Sequence, residues 1–330
     1  MLDYPVLISD IGGTNARFAI LPAAGAPARF LAKRPTADHA DPSGAITAAL
    51  QPYTGERPRT ALLAVATRVA APIVHLTNAA WTIDAERIGR DFGMDRVVIM
   101  NDYVPVAVAL ADPPPGFAQP LGPALPGNGG LRLVLGPGTG LGAAALVPIG
   151  ARFAVLPTEA GHVEFGACDA DEFAFFPLLE RVHDRLTSEG VLSGPGMLRL
   201  YRALAQQRGT QPVYATSAAI IAHATVASDD LATDTLRLFA RLLGRFAGDL
   251  ALILSATGGV FIGGGIAPRM IPALRHGEFR AAFDRKAPFA DVVRGIPTSV
   301  IVDPEPGLTG LAAYAAAPGR FITNLQEWKR

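Results

Sequence analysis

Alternation of apolar strand-like runs with longer helical patterns predicts an α/β protein. Two further observations divide it into two lobes. The chain has 330 residues, whereas single hydrophobic cores stop growing near ~250–300 residues. In addition, a strand–turn–strand near residues 6–21 is echoed near residues 131–147, each turn placing glycines around a threonine. The echo points to a duplicated architecture with a cleft between the halves.

The elements follow in order. Residues 6–8 read as a strand, Asp10-Ile11-Gly12-Gly13-Thr14-Asn15 as a tight turn, and residues 17–21 as a second strand. An apolar run at 61–66 is strand-like, and residues 83–92 read as a helix because Ile83, Ile88 and Phe92 alternate with charges. A compact apolar strand at 96–100 ends in Asn101-Asp102 and leads into an apolar helix through Leu110. A Pro/Gly-rich segment at 112–130, with Pro113-Pro114-Pro115 and Pro126-Gly127-Asn128-Gly129-Gly130, is the clearest linker. Beyond it lie a strand at 131–135, a turn at 136–142, a returning strand at 143–147 and a further strand at 153–156. Helical patterns occupy 172–186, 198–207 and 231–254, and the strand 260–262 runs into a glycine cluster and then a helix from about Pro268.

Composition narrows the function. Half the residues are hydrophobic and 18% are charged, enough for buried cores and too apolar for a disordered chain. The 29 basic and 29 acidic residues balance, which argues against a broad nucleic-acid footprint. Cys168 is the single cysteine, so no internal disulfide, Cys-rich zinc site or iron–sulfur cluster forms, and a small buried or inert side chain is expected there. The uncharged stretches 133–151 and 250–268 are broken by Gly136-Pro137-Gly138 and Gly263-Gly264-Gly265, so no membrane span is expected. The opening Met1-Leu2-Asp3-Tyr4-Pro5 lacks a basic region ahead of a long apolar run, and a cytoplasmic protein is expected.

Several segments carry chemistry. Glycines and Thr14 in the 10–15 turn suit a phosphate-binding hairpin, with glycine allowing close backbone approach and positive φ. Asp10 at the strand end suits a hydrated Mg²⁺ beside phosphates; a plain hairpin uses the same residue types. Gly136-Pro137-Gly138-Thr139-Gly140-Leu141-Gly142 is a second candidate cradle. It lacks the dinucleotide-binding glycine spacing, and with lysines only at Lys33, Lys286 and Lys329 no P-loop motif exists. Two such hairpins suit one polyphosphate. Gly258-Gly259-Val260-Phe261-Ile262-Gly263-Gly264-Gly265-Ile266 either admits an adenine ring or packs strand on helix. Asn101-Asp102 is either a helix cap or a carboxylate at a strand's carboxyl end, placed to accept a hydroxyl proton. Glu159-Ala160-Gly161-His162 offers a carboxylate and an imidazole to the hydroxyls of a polyol. Glu164 and Glu189 read by default as solvent-facing acids, and His183 and His223 as helical surface or core residues.

Taken in order and spacing, residues 10–17, Asn101-Asp102, residues 136–142, residues 159–162, Val191-Leu192-Ser193-Gly194-Pro195-Gly196 and residues 258–265 resemble the bacterial glucokinases. The resemblance runs from about Leu7 to Leu311, with smaller matches at Thr77-Asn78, Trp81, Leu200-Tyr201-Arg202-Ala203 and Phe279-Arg280-Ala281-Ala282-Phe283. It implies a two-lobed actin/hexokinase-like fold, a duplicated RNase H-like architecture with residues 1–111 and about 308–330 in a small lobe and 112–307 in a large one. It implies ATP- and Mg²⁺-dependent phosphorylation of the glucose 6-hydroxyl by a homodimer. Carried over by position, Asp102 is the general base, and Asn101, Glu159, His162 and Glu189 bind the sugar. Ser9, Asp10, Ile11, Gly12, Gly13 and Thr14 form the first phosphate hairpin and Gly138, Thr139 and Gly140 the second, while Gly263, Gly264 and Gly265 approach the adenosine. Asp10 holds Mg²⁺ through water.

The chain departs from that family at named positions. Ser9 and Ala160 replace glycines, Ala79-Ala80 replaces a pair containing histidine, and Arg68 replaces a proline near the sugar. The Arg68 change leaves open another hexose or amino sugar, and a non-catalytic sugar sensor is the rival reading. The region after His162 has only Cys168, which disfavours the zinc-bearing repressor/kinase relatives.

Overall fold

The computed structural model describes residues 2–77, 79–122 and 129–330; Asn78 and the 123–128 part of the linker lie outside the described residues. The chain forms two compact units, one of Met1–Pro115, Leu146–Pro157 and Pro304–Arg330, the other of Gly116–Ala145 and Thr158–Asp303.

In chain order the elements begin with β1 (Val6–Ile11), β2 (Asn15–Leu21), β3 (Arg29–Pro35), α1 (Pro42–Leu50), β4 (Thr60–Val65), β5 (Ile73–His75), β6 (Thr82–Asp84), α2 (Ala85–Phe92), β7 (Arg96–Asn101) and α3 (Tyr103–Ala109). Then come β8 (Ala118–Pro120), β9 (Arg132–Pro137), β10 (Leu141–Ile149), β11 (Arg152–Thr158), α4 (Ala170–Phe175), α5 (Ser188–Val191), α6 (Gly194–Gln207), α7 (Ser217–Thr225) and α8 (Asp230–Leu254). The chain continues through β12 (Gly259–Ile262), α9 (Ile271–Arg275), α10 (Glu278–Asp284), α11 (Ala290–Arg294), β13 (Thr298–Ile301), α12 (Pro306–Ala316), β14 (Phe321–Ile322) and β15 (Gln326–Lys329).

The first unit is built on a sheet of order β15-β7-β4-β1-β2-β3. β1, β4 and β7 are parallel, with Ile11 opposite Val65 and Val65 opposite Asn101. These strands are buried along nearly their whole length, as parallel strands covered on both faces must be. Leu7, Leu63, Val97 and Ile99 join Phe18, Ile46, Trp81 and Ile88 in one core. On the alternate positions Ile8, Leu62 and Val98 are also fully buried, where α3 and α12 pack on the sheet. Those two helices touch backbone to backbone, since a Cβ on Gly310 would stand 1.7 Å from the carbonyl oxygen of Pro105.

In the second unit β9 lies between β10 and β12, with β13 and then β8 beyond. β9, β12 and β13 run parallel and β8 closes that edge antiparallel. The long α8 carries Gly244 and Gly248 one turn apart, and a Cβ there would meet the carbonyl oxygens of Phe279 and Phe283 at 2.0 and 2.5 Å. Those glycines let α10 lie against α8 along the helix face that i, i+4 residues share.

The structure revises some expectations. The helical pattern at 172–186 yields α4 and a single 3₁₀ turn, Phe176–Leu178, because Pro177 cannot donate the N–H that would continue the helix. His183 consequently sits outside a helix, with φ 52°. Residues 83–92 do not form one helix: Ile83 belongs to β6, and Asp84 caps α2 by accepting from the N–H of Arg87. Cys168 is exposed, not buried. No helix among the described residues is long and apolar enough to cross a membrane.

Replacement of Gly310 by alanine should destabilise the first unit by roughly 1–3 kcal/mol, because the added methyl drives into backbone that no side-chain rotation relieves. Urea unfolding checks this, and an unchanged midpoint would show that α3 and α12 separate without cost.

Candidate active site

Each unit gathers its own part of the candidate site at the carboxyl ends of parallel strands, where α/β sheets bind ligands. In the first unit the hairpin between β1 and β2 is closed by Gly12 N–H donating to Asn15 O at 2.9 Å. Thr36 fastens it from the side: its hydroxyl donates to Gly13 O at 2.7 Å and its N–H to Thr14 O at 3.0 Å. Ser9 is fully buried and its hydroxyl donates to Arg17 O, so the side chain serves the β1–β2 pair itself. The positive φ expected in the first hairpin does not occur at Gly12 or Gly13, and Gly138 and Gly140 lack it as well. Of Gly12, Gly138 and Gly140, only Gly140 lacks room for a side chain, since a Cβ there would lie 2.5 Å from Glu189 Oε2.

Asp10 pairs in register with Arg17 across the hairpin. Arg17 Nη1 stands 3.8 Å from Asp10 Oδ2, while its Nε lies 2.5 Å from Glu305 Oε2. Loss of water around Asp10 raises its carboxyl to about 6; Arg17 pulls it down and Glu305 pushes it further up. The first turn of α12 abuts the same group, because a Cβ on Gly307 would lie 3.0 Å from Asp10 Cγ.

β7 ends at Asn101, whose side-chain amide donates to Thr67 O at 3.2 Å and whose Oδ1 accepts from Tyr103 N–H at 3.0 Å. Asn101 therefore supplies the side-chain bond at the start of α3. Asp102 follows with its N–H on Val65 O at 3.0 Å. The Tyr103 phenol is pushed far up by loss of water, then by the charges of Asp102 and Asp10.

In the second unit Gly138, Thr139 and Gly140 form the turn between β9 and β10, tighter than the 136–142 span suggests. Gly138 N–H donates to Gly140 O, and Gly138 O accepts from Gly194 N–H, both at 2.8 Å. Gly194 opens α6, which Ser193 caps by accepting from Gly196 N–H. The glycine cluster after β12 packs on the same strand end: Gly263 N–H donates to Leu135 O at 2.7 Å, and Gly264, at φ 76°, would place a Cβ 2.4 Å from Pro137 O. Gly264 thus needs glycine on both counts.

Glu159 and His162 flank one 3₁₀ turn, Ala160–His162, with His162 Nε2 3.8 Å from Glu159 Oε2 and both side chains more than half exposed. Glu189 lies in the adjoining α5, and its Oε2 accepts from Leu141 N–H at 2.9 Å. Glu164 is exposed and pairs with Arg185 at 3.5 Å. The structure brings Glu159, His162 and Glu189 onto adjoining segments beside the second hairpin. Sequence reading overlooked Glu305 and Thr36; Gly194 and Arg17 lay inside quoted motifs, and the register of Arg17 opposite Asp10 follows from the two-strand hairpin pattern.

A family model described as glucokinase matches residues 7–318. The chain is 39% identical over 331 residues to a glucokinase of Allorhizobium ampelinum, covering 100% of this chain and 97% of the relative. Among solved structures, a glucokinase from an Antarctic psychrotroph is similar with a TM-score of 0.81 at 32% identity, covering 94% of this chain and 98% of that one. A ROK family glucokinase from Streptomyces griseus, solved with glucose and AMPPNP, shares the fold with a TM-score of 0.63 at 19% identity, over 96% of this chain and 100% of its own.

Asp10 makes stability depend on pH. Its folded value of about 6 exceeds the ordinary 3.8, so its contribution is full below the ordinary value and is lost as pH rises through 6. Asp10→Asn should therefore gain stability relative to the parent by on the order of 2 kcal/mol more at pH 7.5 than at pH 4. Denaturant titrations at the two pH values read the difference, and equal gains would place Asp10 in an ordinary aqueous environment.

Proposed function

The chain belongs to the glucokinase family, and we propose that it transfers the γ-phosphoryl group of ATP to the 6-hydroxyl of glucose, with Asp102 as the general base. The observation that carries this reading is the register of β1, β4 and β7. It sets Asp102 just past the end of a strand aligned with the strand that delivers the Asp10 hairpin. A carboxylate at such a strand end can take the proton of a hydroxyl while backbone N–H groups of a glycine hairpin meet phosphate oxygens.

In this reading Asn101, Glu159, His162 and Glu189 bind the sugar hydroxyls. Ser9, Asp10, Ile11, Gly12, Gly13 and Thr14 serve the phosphates from the first unit, as Gly138, Thr139 and Gly140 do from the second. Gly263, Gly264 and Gly265 approach the adenosine. The Streptomyces griseus glucokinase, with its glucose and AMPPNP, supports a hexose and ATP as the substrate pair. A hydrated Mg²⁺ fits Asp10, a carboxylate short of counter-charge beside a second carboxylate, Glu305. When bound it supplies neutralisation of the phosphate charge; the chain's own residues orient the hydroxyl and hold the phosphate backbone. Residues 1–111 with about 308–330, and 112–307, are the proposed functional lobes, and the resemblance extends the proposal to a cytoplasmic homodimer.

Arg68 favours a second reading, phosphorylation of another hexose or an amino sugar. It is exposed and follows Thr67, whose carbonyl accepts from Asn101. ADP formation with Mg-ATP against glucose, mannose, fructose, glucosamine and N-acetylglucosamine, beside a sugar-free control, separates the two. Glucose-selective turnover supports the first reading; selective turnover of another sugar supports the second. No turnover with any sugar, despite binding of sugar and ATP, points to a sensor.

Asp102→Asn should lower kcat by ~10² or more with little change in either Kd. Turnover near that of the parent would remove Asp102 from the proton transfer. Glu159→Gln should mainly raise KM for the sugar, and a defect confined to ATP would relocate the sugar site.

A further inference from the structure

Glu189 does something that a sugar ligand alone has no need to do. Its Oε2 accepts the N–H of Leu141, the first residue of β10 after the Gly138-Thr139-Gly140 turn, at 2.9 Å. The same oxygen fills the space where a Cβ on Gly140 would lie, 2.5 Å away. On the other side of that peptide chain stands Gly161, between Glu159 and His162, where a Cβ would lie 2.2 Å from Leu141 O. Both main-chain polar atoms of Leu141 are thus in close contact with segments bearing the sugar-facing side chains.

Those segments are themselves fastened to each other. Ser188 N–H donates to Val163 O at 2.9 Å, and Arg185 donates to His162 O at 3.1 Å. Within α5, Thr187 Oγ1 accepts from Gly190 N–H at 3.1 Å, and Arg199 Nη1 donates to Gly190 O at 3.2 Å. Glu189 therefore projects from a backbone held on two sides. A carboxylate has two oxygens with about four acceptor sites, so engaging Leu141 leaves capacity for a sugar hydroxyl.

We infer that Glu189 is a positioning residue that couples sugar occupancy to the shape of the second phosphate hairpin, an inference that rests on the glucokinase reading above. A hydroxyl bound by Glu189 fixes the carboxylate; the fixed carboxylate fixes Leu141 N–H, and with it the Gly138–Gly140 turn that receives phosphate. The predicted signature is reciprocal tightening of sugar and nucleotide, because coupling between two binding equilibria acts equally in both directions.

The test measures Kd for AMPPNP with Mg²⁺ by calorimetry, with and without saturating glucose. In the parent, glucose should tighten AMPPNP at least ~5-fold, within the ordinary range of coupling. Glu189→Ala should reduce that factor to below ~2-fold even at saturating sugar. Glu159→Gln weakens sugar without touching Leu141 and should keep the factor once glucose saturates. Glu189→Gln, which retains an acceptor for Leu141 N–H, should restore most of it. Gly140→Ala displaces the carboxylate from the hairpin side and should weaken glucose binding measured with no nucleotide present. If Glu189→Ala is not folded by circular dichroism, Gly140→Ala and Glu189→Gln decide alone. Full coupling in Glu189→Ala, or unchanged glucose affinity in Gly140→Ala, overturns the inference. A parent enzyme that turns over no sugar in the panel overturns the glucokinase reading instead, and that result is read separately from the coupling.

Discussion

Parallel register is the constraint from which the first unit's chemistry follows. Because Ile11, Val65 and Asn101 are opposite one another, three strands stop at one level, and the residues just beyond them share an edge. A one-residue shift there would exchange the two buried faces, setting Ile8, Leu62 and Val98 against the partners of Leu7, Leu63 and Val97. Thr67 is close enough to accept from Asn101 only because β4 and β7 end together. The α3 helix then starts where Asn101 caps it, and its backbone contact with α12 brings Gly307 against Asp10. Packing of an apolar sheet thus fixes polar groups that contribute nothing to the core.

The second unit achieves the same end with small residues. Main chain approaches main chain closely at Gly161, Gly194, Gly196 and Gly264, which leaves no volume for side chains on those residues. The loops are consequently tied by N–H to C=O bonds: Gly138 with Gly194, Gly263 with Leu135, Ile266 with Pro137. Such contacts place backbone donors and acceptors with little rotamer freedom to lose, which suits a site that positions phosphate more than it performs covalent chemistry.

The strands and the hairpins were legible in the sequence because their signals are local: an apolar run, a glycine turn, another apolar run. The turns fell inside the expected spans, at 12–14 and 138–140, although residues 10, 11 and 15 belong to β1 and β2 and the φ argument for the first turn did not hold. What could not be read was the company each turn keeps. Glu305 reaches Arg17 across nearly the whole chain, and Thr36 reaches Gly13 from the far end of β3, with no periodicity to announce either. The helix expected over 172–186 failed where spacing of Phe175, Leu179 and Leu186 imitated a helical stripe; Phe175 ends α4, whereas Leu179 and Leu186 reach the second core from irregular backbone beyond Pro177. Glu189 looked like a loop acid because its partner is a main-chain N–H, which no sequence pattern encodes.

Electrostatics in the first unit retain a cost at the carboxylate proposed to serve the phosphates. Arg17 is the cation nearest Asp10 across the hairpin, yet it is nearer to Glu305, at 2.5 Å against 3.8 Å. Coulomb attraction falls with distance, so most of its compensation goes to Glu305. Asp10 is left with a carboxyl near 6, in a surrounding that removes water and adds a second negative group. A fold selected for stability alone would place a closer cation there or a neutral side chain. Under the proposed function, an under-compensated carboxylate beside this hairpin would gain most from an arriving divalent cation, and the shortage that weakens the empty fold would favour the loaded one.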